Sequence, residues 1–339
     1  MQQLRRDPVT GRWIIVHHDA EKKPKDYIAE LKKFPAKPEG KVCPFCPGGE
    51  DRTPPEIYVD RPPSSSANQP GWNLRVIANK FPALRVEGDL DSQGNGMYDR
   101  MNGVGAHEVI IEHPDHRITM ADMSDQEVER IILAFKHRCV DLKRDRRFVF
   151  TLVFKNHGES AGASLAHTHS QLIALPIVPK KMQEMLRGAE HYYQFRERCV
   201  YCDIIRQEQG QKDRVVEENE RFLCFTPFAS CSPFEMWIIP KQHSSQFYHI
   251  REEDIASLAQ LLRRTLARLK KTLTDPPFNF IINTSPIQHD KELDYFHWYI
   301  EIVPKLTPSA GFEWGTGFYI NPTPPEKAAA WLRNAKLKA

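Results

Sequence analysis

Two Cys-x-x-Cys motifs, CPFC at 43–46 and CVYC at 199–202, each begin the same order of segments along the chain. Each motif is followed by an apolar run typical of a buried strand, HEVIIEH at 107–113 and FEMWIIPKQ at 234–242. A recurring order of this kind indicates that one supersecondary unit occurs twice. This duplication restricts the possible folds more than any other feature of the sequence.

The segments that follow also match in type and spacing. Helices are predicted at 124–144 and 251–271, where apolar residues recur at helical spacing, and the first helix begins with a Ser-x-x-Glu capping box. Short strands are predicted next, at 148–156 and 278–283, and both end in asparagine. The two asparagines are 127 positions apart, as are the two histidines that precede the helices.

This order predicts an α+β fold class: two tandem histidine-triad-like units, each an antiparallel sheet with a helix. The chain lacks the regular strand–helix alternation of a doubly wound sheet. The expected halves are residues 1–185 and 195–339, with the boundary in MLRGAEHYYQFRER at 185–198. Loop-like sequence at 62–72 and 87–97 lengthens the first half.

The repeat also predicts two zinc sites. A structural zinc ion takes four nitrogen or sulfur ligands, and each half offers two cysteines, a histidine after the first strand and a histidine at the final strand. The predicted sets are Cys43, Cys46, His116 and His167 in the first half, and Cys199, Cys202, His243 and His297 in the second. His113 is an alternative to His116. The other interpretation of both motifs is a pair of incidental turns with buried thiols.

His169 follows His167 by two positions, and the second half has Tyr299 at the matching place. Period-two alternation puts both histidines and Gln171 on one face of a strand. A neutral imidazole held beside a metal-bound neighbour is a competent nucleophile toward phosphorus. Gln171 would offer an amide donor to phosphoryl oxygens, beside the small-residue segment GESAGAS at 158–164. The alternatives for His169 are a further metal ligand and a satisfied surface histidine.

At these motifs the sequence resembles the galactose-1-phosphate uridylyltransferase branch of the histidine-triad superfamily over nearly its whole length. The similar segments are RRDPVTGRWIIV (5–16), CPFCPGGEDRTPPE (43–56), VIANKFPAL (76–84), HPDH (113–116) and HTHSQ (167–171). The resemblance implies a two-step transfer in which His169 attacks the α-phosphorus of a nucleotide sugar and expels sugar 1-phosphate. A second sugar phosphate, or phosphate itself, then takes the nucleotide. The resemblance also implies a homodimer.

Further site residues come from the same resemblance. Gln171 matches the family's glutamine after the His-x-His pair, and the four zinc ligands of the first half carry over. The positions implied to contact the nucleoside, the phosphates or the sugar are Asn79, Phe81, Asn156, Gly162, Ala163, Ser164, Gln171, Gly311, Phe312 and Glu313.

The residues that follow each histidine of the pair are among those that depart from the uridylyltransferase pattern. That pattern has proline between the histidines and glycine after the second, whereas this chain has Thr168 and Ser170. The HTHSQ motif, GTGFYINP at 315–322 and the second Cys₂His₂ set resemble a plant relative that carries two zinc ions and acts on ADP-glucose. Uridylyl transfer between UDP-glucose and galactose 1-phosphate is the first expectation, and ADP-glucose phosphorylase or adenylyltransferase activity is the alternative.

Two other classes of function remain open. Triad hydrolases usually carry a third histidine where this chain has Gln171, and a non-catalytic zinc-binding interaction module would also fit two closed metal sites. A net charge of +3 without a basic, aromatic-interleaved run argues against nucleic acid. No apolar stretch reaches the ~18 residues of a membrane span, and the N-terminus lacks a signal-peptide pattern. We therefore expect a cytoplasmic enzyme.

Overall fold

The computed structural model of the chain describes residues 2–18, 21–32, 43–287, 291–308 and 310–337. Within these ranges it is a mixed α+β structure, as the order of motifs predicts. The strands are β1 (Gln3–Arg6), β2 (Trp13–Val16), β3 (Glu56–Asp60), β4 (Leu74–Ala78), β5 (Gln93–Asn95), β6 (Tyr98–Arg100), β7 (Ala106–Ile111), β8 (Phe150–His157), β9 (His169–Leu175), β10 (Val215–Glu218), β11 (Phe222–Phe225), β12 (Met236–Pro240), β13 (Phe278–Asn283), β14 (Tyr299–Pro304) and β15 (Tyr319–Asn321). The helices are α1 (Pro24–Leu31), α2 (Asp125–Leu142), α3 (Lys180–Arg196), α4 (Val200–Gln211), α5 (Glu252–Leu273), α6 (Gly311–Thr316) and α7 (Pro325–Arg333). Among the described helices, none has the length and apolar character needed to cross a membrane.

A ten-stranded antiparallel sheet runs through the molecule in the order β10-β11-β12-β14-β13-β8-β9-β7-β4-β3. Its centre is the pair of β8 and β13, with Phe278 opposite His157 and Ile282 opposite Val153. The sequence predicts a sheet for each half, but here both halves contribute five strands to one sheet. Pairing the two inner edge strands satisfies backbone groups that separate sheets would leave open.

The two long helices predicted from apolar spacing, α2 and α5, pack together on one face of this sheet. The oxygen of Ser124 caps α2 by accepting from the Glu127 backbone N–H at 3.3 Å, and Glu127 accepts from the Ser124 N–H at 2.7 Å. Leu172 and Phe280 belong to the apolar core that these helices cover. Because side chains alternate along a strand, Gln171 faces the other side of the sheet.

A small sheet of β1, β2 and β15 joins the two ends of the described chain. β15 runs parallel to β2, with Tyr319 opposite Ile14. A partly buried ion pair of 2.8 Å between Arg5 and Glu326 links β1 to α7. The repeat does not predict this small sheet, because the strands of the sheet lie outside the repeated segments.

The segment expected to contain the boundary between the halves, 185–198, lies mostly within α3. Gly188 in this helix lies against the carbonyl oxygen of Val9, where a Cβ would approach to 1.8 Å. Only glycine permits that contact, so α3 is docked on the turn after β1. The division into residues 1–185 and 195–339 remains a prediction.

Candidate active site and metal sites

The four residues predicted as metal ligands in the first half meet in one cluster. One ligand atom from each of Cys43, Cys46, His116 and His167 lies within 4.8 Å of the others. Nδ1 of His167 is 3.7 Å and 3.5 Å from the sulfurs of Cys43 and Cys46, and Nδ1 of His116 is 3.5 Å from Cys46 Sγ. Tetrahedral zinc with its usual bond lengths separates sulfur and nitrogen ligands by about 3.5 Å. The donor set and spacing therefore fit a zinc ion.

Backbone contacts orient the histidines of this cluster. Nε2 of His167 donates to the carbonyl oxygen of His113 at 2.7 Å, which directs its Nδ1 lone pair toward the sulfurs. The side chain of His113 accepts from the Asp115 N–H at 2.9 Å and lies 3.2 Å from Glu127. The alternative of His113 as a ligand in place of His116 is therefore not supported.

A second cluster contains Cys199, Cys202 and His243, whose ligand atoms also lie within 4.8 Å of one another. Nδ1 of His243 is 3.4 Å from Cys202 Sγ, while its Nε2 donates to the carbonyl oxygen of Leu293 at 3.0 Å. The pKa of Cys202 is lowered to about 5, first by its hydrogen bond with Cys199 and then by its hydrogen bond with His243. A thiolate at this position suits metal binding.

The predicted fourth ligand of this cluster, His297, lies outside the grouped set. Its Nδ1 is 3.1 Å from the carbonyl oxygen of Trp298, and its ring centroid is 5.3 Å from that of His243. Because a carbonyl only accepts, this contact assigns the ring proton to Nδ1 and leaves the lone pair on Nε2. Among the described residues, its buried Nε2 has no hydrogen-bond partner. Burial lowers the pKa of His297 to about 3, so the ring is neutral.

His169 begins β9 and is only 5% exposed. Its Nδ1 lies 2.8 Å from the carbonyl oxygen of His167. Because a carbonyl only accepts, Nδ1 carries the ring proton and Nε2 has the free lone pair. Burial, and then the charge of Lys155, lower the pKa of His169, so the imidazole is neutral near pH 7. A buried, neutral and oriented imidazole has the properties of a nucleophile.

A histidine that the sequence analysis did not select orients Gln171. The N–H of Ala83 donates to Nδ1 of His107 at 3.1 Å, so the proton of His107 is on Nε2. That Nε2 donates to Oε1 of Gln171 at 2.7 Å. The amide nitrogen of Gln171 is therefore left to donate to a ligand. Asn79 lies beside this pair, with its amide nitrogen 3.1 Å from His107 Nε2, and it accepts from the Phe81 N–H at 2.9 Å.

The glycine-containing turn at 158–164 is held mainly by its own atoms. Gly158 and Gly162 have φ of 82° and 93°, which favours glycine. The side chain of Asn156 donates to the Gly162 carbonyl at 3.3 Å and accepts from Asn279 at 2.8 Å. Asn156 therefore shapes the turn. The N–H groups of Gly162 and Ala163 also bond within it, at 2.9 and 3.2 Å.

Comparison with known proteins decides the family. The family model described as galactose-1-phosphate uridyl transferase, N-terminal domain, matches residues 1–179. The chain belongs to the galactose-1-phosphate uridylyltransferase family. A model for a domain of unknown function matches residues 103–336.

Relatives in this family match over almost the whole chain. An ADP-glucose phosphorylase from Arabidopsis thaliana is 39% identical, over 99% of this chain and 93% of its own length. A galactose-1-phosphate uridylyltransferase from Thermotoga maritima is 28% identical over 100% of both. The crystal structure of an ADP-glucose phosphorylase from A. thaliana with bound ADP-glucose has a TM-score of 0.82 at 37% identity, covering 99% of this chain and 100% of that one. As a member of the galactose-1-phosphate uridylyltransferase family, the chain is an enzyme, a nucleotidyltransferase.

The remaining residues that the family resemblance implies lie in two places. Phe81 follows Asn79 beside the His107–Gln171 pair and is 83% exposed, so its ring is available to a ligand. Gly311, Phe312 and Glu313 lie in α6, next to β15 of the small sheet. The structure thus positions those three residues in a helix beside the small sheet, whereas His169 lies in the ten-stranded sheet.

Proposed function

We propose that the chain transfers a nucleotidyl group from a nucleotide sugar to a phosphate-bearing acceptor through a covalent intermediate on His169. The orientation of the buried imidazole carries the proposal, since its Nδ1 donates to the His167 carbonyl at 2.8 Å and its Nε2 is unprotonated. In the first step Nε2 bonds to the α-phosphorus, the bond from that phosphorus to the bridging oxygen breaks, and sugar 1-phosphate leaves. In the second step an acceptor phosphate oxygen takes the nucleotidyl group and frees Nε2.

Gln171 is proposed to stabilise the charge that develops on the non-bridging oxygens. Its Oε1 is occupied by His107, so its amide N–H groups are the donors it can offer. Ser164, at the end of the ordered turn, is proposed to contact the same phosphates. The leaving sugar 1-phosphate has low basicity, so no general acid is needed.

ADP-glucose is proposed as the donor and phosphate as the acceptor. The A. thaliana relative named ADP-glucose phosphorylase is 39% identical to this chain, against 28% for the T. maritima uridylyltransferase. Thr168 and Ser170 both donate hydrogen bonds to the buried carboxylate of Glu112. Proline and glycine, which stand at these positions in the uridylyltransferase pattern, have no hydroxyl for this purpose. This reverses the order of the two donors expected from sequence.

Uridylyl transfer between UDP-glucose and a hexose 1-phosphate, with galactose 1-phosphate as the first example, is the second candidate. It is supported by the T. maritima relative, which matches over 100% of both chains, and by the family model over residues 1–179.

Labelling without an acceptor tests the proposal. The purified chain is incubated separately with ADP-glucose and UDP-glucose labelled at the α-phosphorus, quenched in base, and analysed by intact mass. We expect one AMP per chain from ADP-glucose and its release as ADP when phosphate is added. Preferential labelling by UMP would support the second candidate. Steady release of free nucleoside monophosphate would instead indicate a hydrolase. If neither nucleotide labels the chain, the result would favour a non-catalytic zinc-binding interaction module.

The two cysteine-containing clusters are proposed to hold structural zinc ions. In the first, the ligands would be Cys43, Cys46, His116 and His167, and the ion would supply rigidity at the start of β9. In the second, His297 is proposed to complete the set of Cys199, Cys202 and His243, since its buried Nε2 lacks a partner among the described residues. Elemental analysis should find two zinc ions per chain, and a His297→Ala variant should lose one of them while still labelling at His169.

We also propose an internal duplication and a homodimer. Outward from the central pair, the order β8-β9-β7-β4-β3 corresponds to β13-β14-β12-β11-β10, in line with two histidine-triad-like halves at 1–185 and 195–339. Helix α6 leaves Trp314 83% exposed beside a half-exposed Phe312, which suits coverage by a second copy. Light scattering should give twice the chain mass, and Trp314→Glu should reduce it.

A further inference from the structure

Two opposite charges are buried beneath the start of β9, on the face away from the His169 ring. The side chains of Lys155 and Glu112 are 2% and 0% exposed, and Nζ lies 2.6 Å from Oε2. Lys155 comes from β8, and Glu112 follows β7 directly. The strands that flank β9 therefore supply one charge each.

Apart from the ion pair itself, the side chains of Lys155 and Glu112 form hydrogen bonds with three consecutive residues, Thr168, His169 and Ser170. Lys155 Nζ donates to Thr168 Oγ1 at 3.0 Å and to the His169 carbonyl at 2.9 Å. The carboxylate of Glu112 accepts from the hydroxyls of Thr168, at 2.5 Å, and of Ser170. Together with the contact to Glu112, these bonds use all three N–H donors of the Lys155 ammonium group.

The backbone next to Glu112 restrains the same segment. The N–H of Glu112 donates to the Thr168 carbonyl at 3.2 Å, and the carbonyl of His113 accepts from the His167 ring at 2.7 Å. Three of the four residues 167–170 are thus bonded to the two residues that follow β7, and the carbonyl of the fourth, His169, accepts from Lys155. Their backbone direction determines where the His167 carbonyl lies, and that carbonyl orients the ring of His169.

Stability alone does not explain a buried ion pair at this place. Removing two charges from water costs several kcal/mol per ion, and well-packed apolar replacements are often neutral or stabilising. A fully bonded network does, however, restrict a segment to one conformation. We propose that Lys155 and Glu112 are positioning residues that hold the backbone of 167–170 so that Nε2 of His169 faces the bound α-phosphorus. This inference rests on the proposed covalent step at His169.

A charge-removing double variant tests the inference. In Lys155→Met with Glu112→Gln, neither charge is left unpaired, and the glutamine retains polar atoms for Thr168 and Ser170. We expect the single-turnover rate of His169 labelling by ADP-glucose to fall about 10²-fold, as for a misplaced reacting group. The ADP-glucose concentration that gives half-maximal labelling should change by less than about twofold, because ground-state binding is not altered.

The matched control is another buried ion pair that involves β7. Arg138 Nη2 lies 2.7 Å from Glu108 Oε1, and both side chains are buried. Arg138→Met with Glu108→Gln removes a comparable pair without touching 167–170, and should label at the wild-type rate. Thermal melting and zinc content are measured on both double variants.

The outcomes separate the two proposals. Absence of labelling in the wild-type chain by any nucleotide sugar defeats the proposed function itself. If the wild type labels, a folded Lys155→Met, Glu112→Gln variant that labels at the same rate overturns the positioning role. So does slow labelling accompanied by loss of zinc, because the pair would then act on the metal cluster. Should that variant not fold, Thr168→Val with Ser170→Ala removes the linking hydroxyls alone; slower labelling supports the inference and an unchanged rate overturns it.

Discussion

The carbonyl oxygen of His167 and Nδ1 of His169 are joined by a hydrogen bond of 2.8 Å. His167 itself donates from Nε2 to the His113 carbonyl at 2.7 Å, so its Nδ1 faces the cysteine sulfurs. The two histidines therefore use opposite ring nitrogens. One short stretch of backbone orients both the proposed metal ligand and the proposed nucleophile, which gives a physical reason for two histidines so close together.

Replacing the proposed nucleophile, His169, should remove the proposed covalent step and little else. His169→Gln keeps a side chain of similar length but has no nitrogen lone pair, so we expect kcat to fall by at least about 10³-fold. Intact mass should show no nucleotidyl adduct. His191→Gln, on the exposed surface of α3, is the control and should label normally. A labelled His169→Gln chain would mean that another residue is the nucleophile.

Gln171→His should increase hydrolysis of the intermediate. An imidazole at this position can exchange protons with an attacking water, whereas an amide cannot. The measurement is the partition of the labelled intermediate between water and added phosphate. Gln171→Asn retains the amide, shortens its reach, and should slow transfer without raising hydrolysis. Unchanged partitioning in Gln171→His would count against this account of the glutamine.

His107→Phe should weaken phosphate recognition by freeing the Gln171 amide to rotate. Loss of the 2.7 Å hydrogen bond from His107 Nε2 to Gln171 Oε1 should lower kcat/KM about tenfold. His107→Gln can still donate from its terminal amide and should recover part of that loss. Equal activity in both variants would show that the orientation of Gln171 does not depend on this hydrogen bond.

The two metal clusters should differ in their effect on chemistry. Cys43→Ser disturbs the cluster that contains His167, so we expect loss of one metal ion, a lower melting temperature and slow labelling of His169. Cys202→Ser should also lose one ion and some thermal stability, but the labelling rate of the remaining folded chain should stay near wild type. Zinc content and single-turnover labelling measured on one preparation check both. Equal loss of labelling in the two variants would contradict the distinction.

The contribution of Glu235 to stability should fall as the pH rises from about 4.5 to about 8. Burial, followed by the charge of Glu301, raises the pKa of the buried Glu235 to about 8 from the ordinary value of 4.5. At this carboxyl the folded state therefore binds more protons than the unfolded state in this window, which costs up to about 1.4 kcal/mol of unfolding free energy for each pH unit.

Urea unfolding between pH 5 and pH 8 measures this effect. Glu235→Gln removes the titrating group, so the unfolding free energy of the wild type relative to that of the variant should fall across this range, although the variant also weakens a hydrogen bond to Cys231 N–H, Ser232 N–H or Trp237 Nε1. An equally steep slope in the variant would show that Glu235 is not the group responsible.

Several parts of the fold and site follow from local pattern. Apolar spacing and the Ser124 capping box are sufficient for α2, because helix periodicity and capping are short-range properties. Strand β9 is predicted with its correct face, because alternation alone directs His169 and Gln171 to one side. The repeat predicts the first metal cluster, since matching positions in matching units converge.

Other contacts cannot be predicted from a single sequence. His107 meets Gln171 because β7 and β9 are neighbours with Val109 opposite Gln171, and a shift of one residue would send His107 to the other face. Asn279 reaches Asn156 only because β13 pairs with β8 across the two halves. The repeat predicts His297 as the fourth ligand of the second cluster, but in the structure His297 lies outside that cluster.

The sequence by itself determined the order of the α+β elements, the four residues of the first cysteine–histidine cluster and the face of β9 that carries His169, because these depend on period and spacing along the chain. Only the tertiary structure decided that Lys155 and Glu112 lie beneath His169 and that His107 orients Gln171. The physical reason is that the packing of the whole sheet determines strand order and register. The alternation of side chains shows which face of the sheet a residue is on, but not which residue lies beside it.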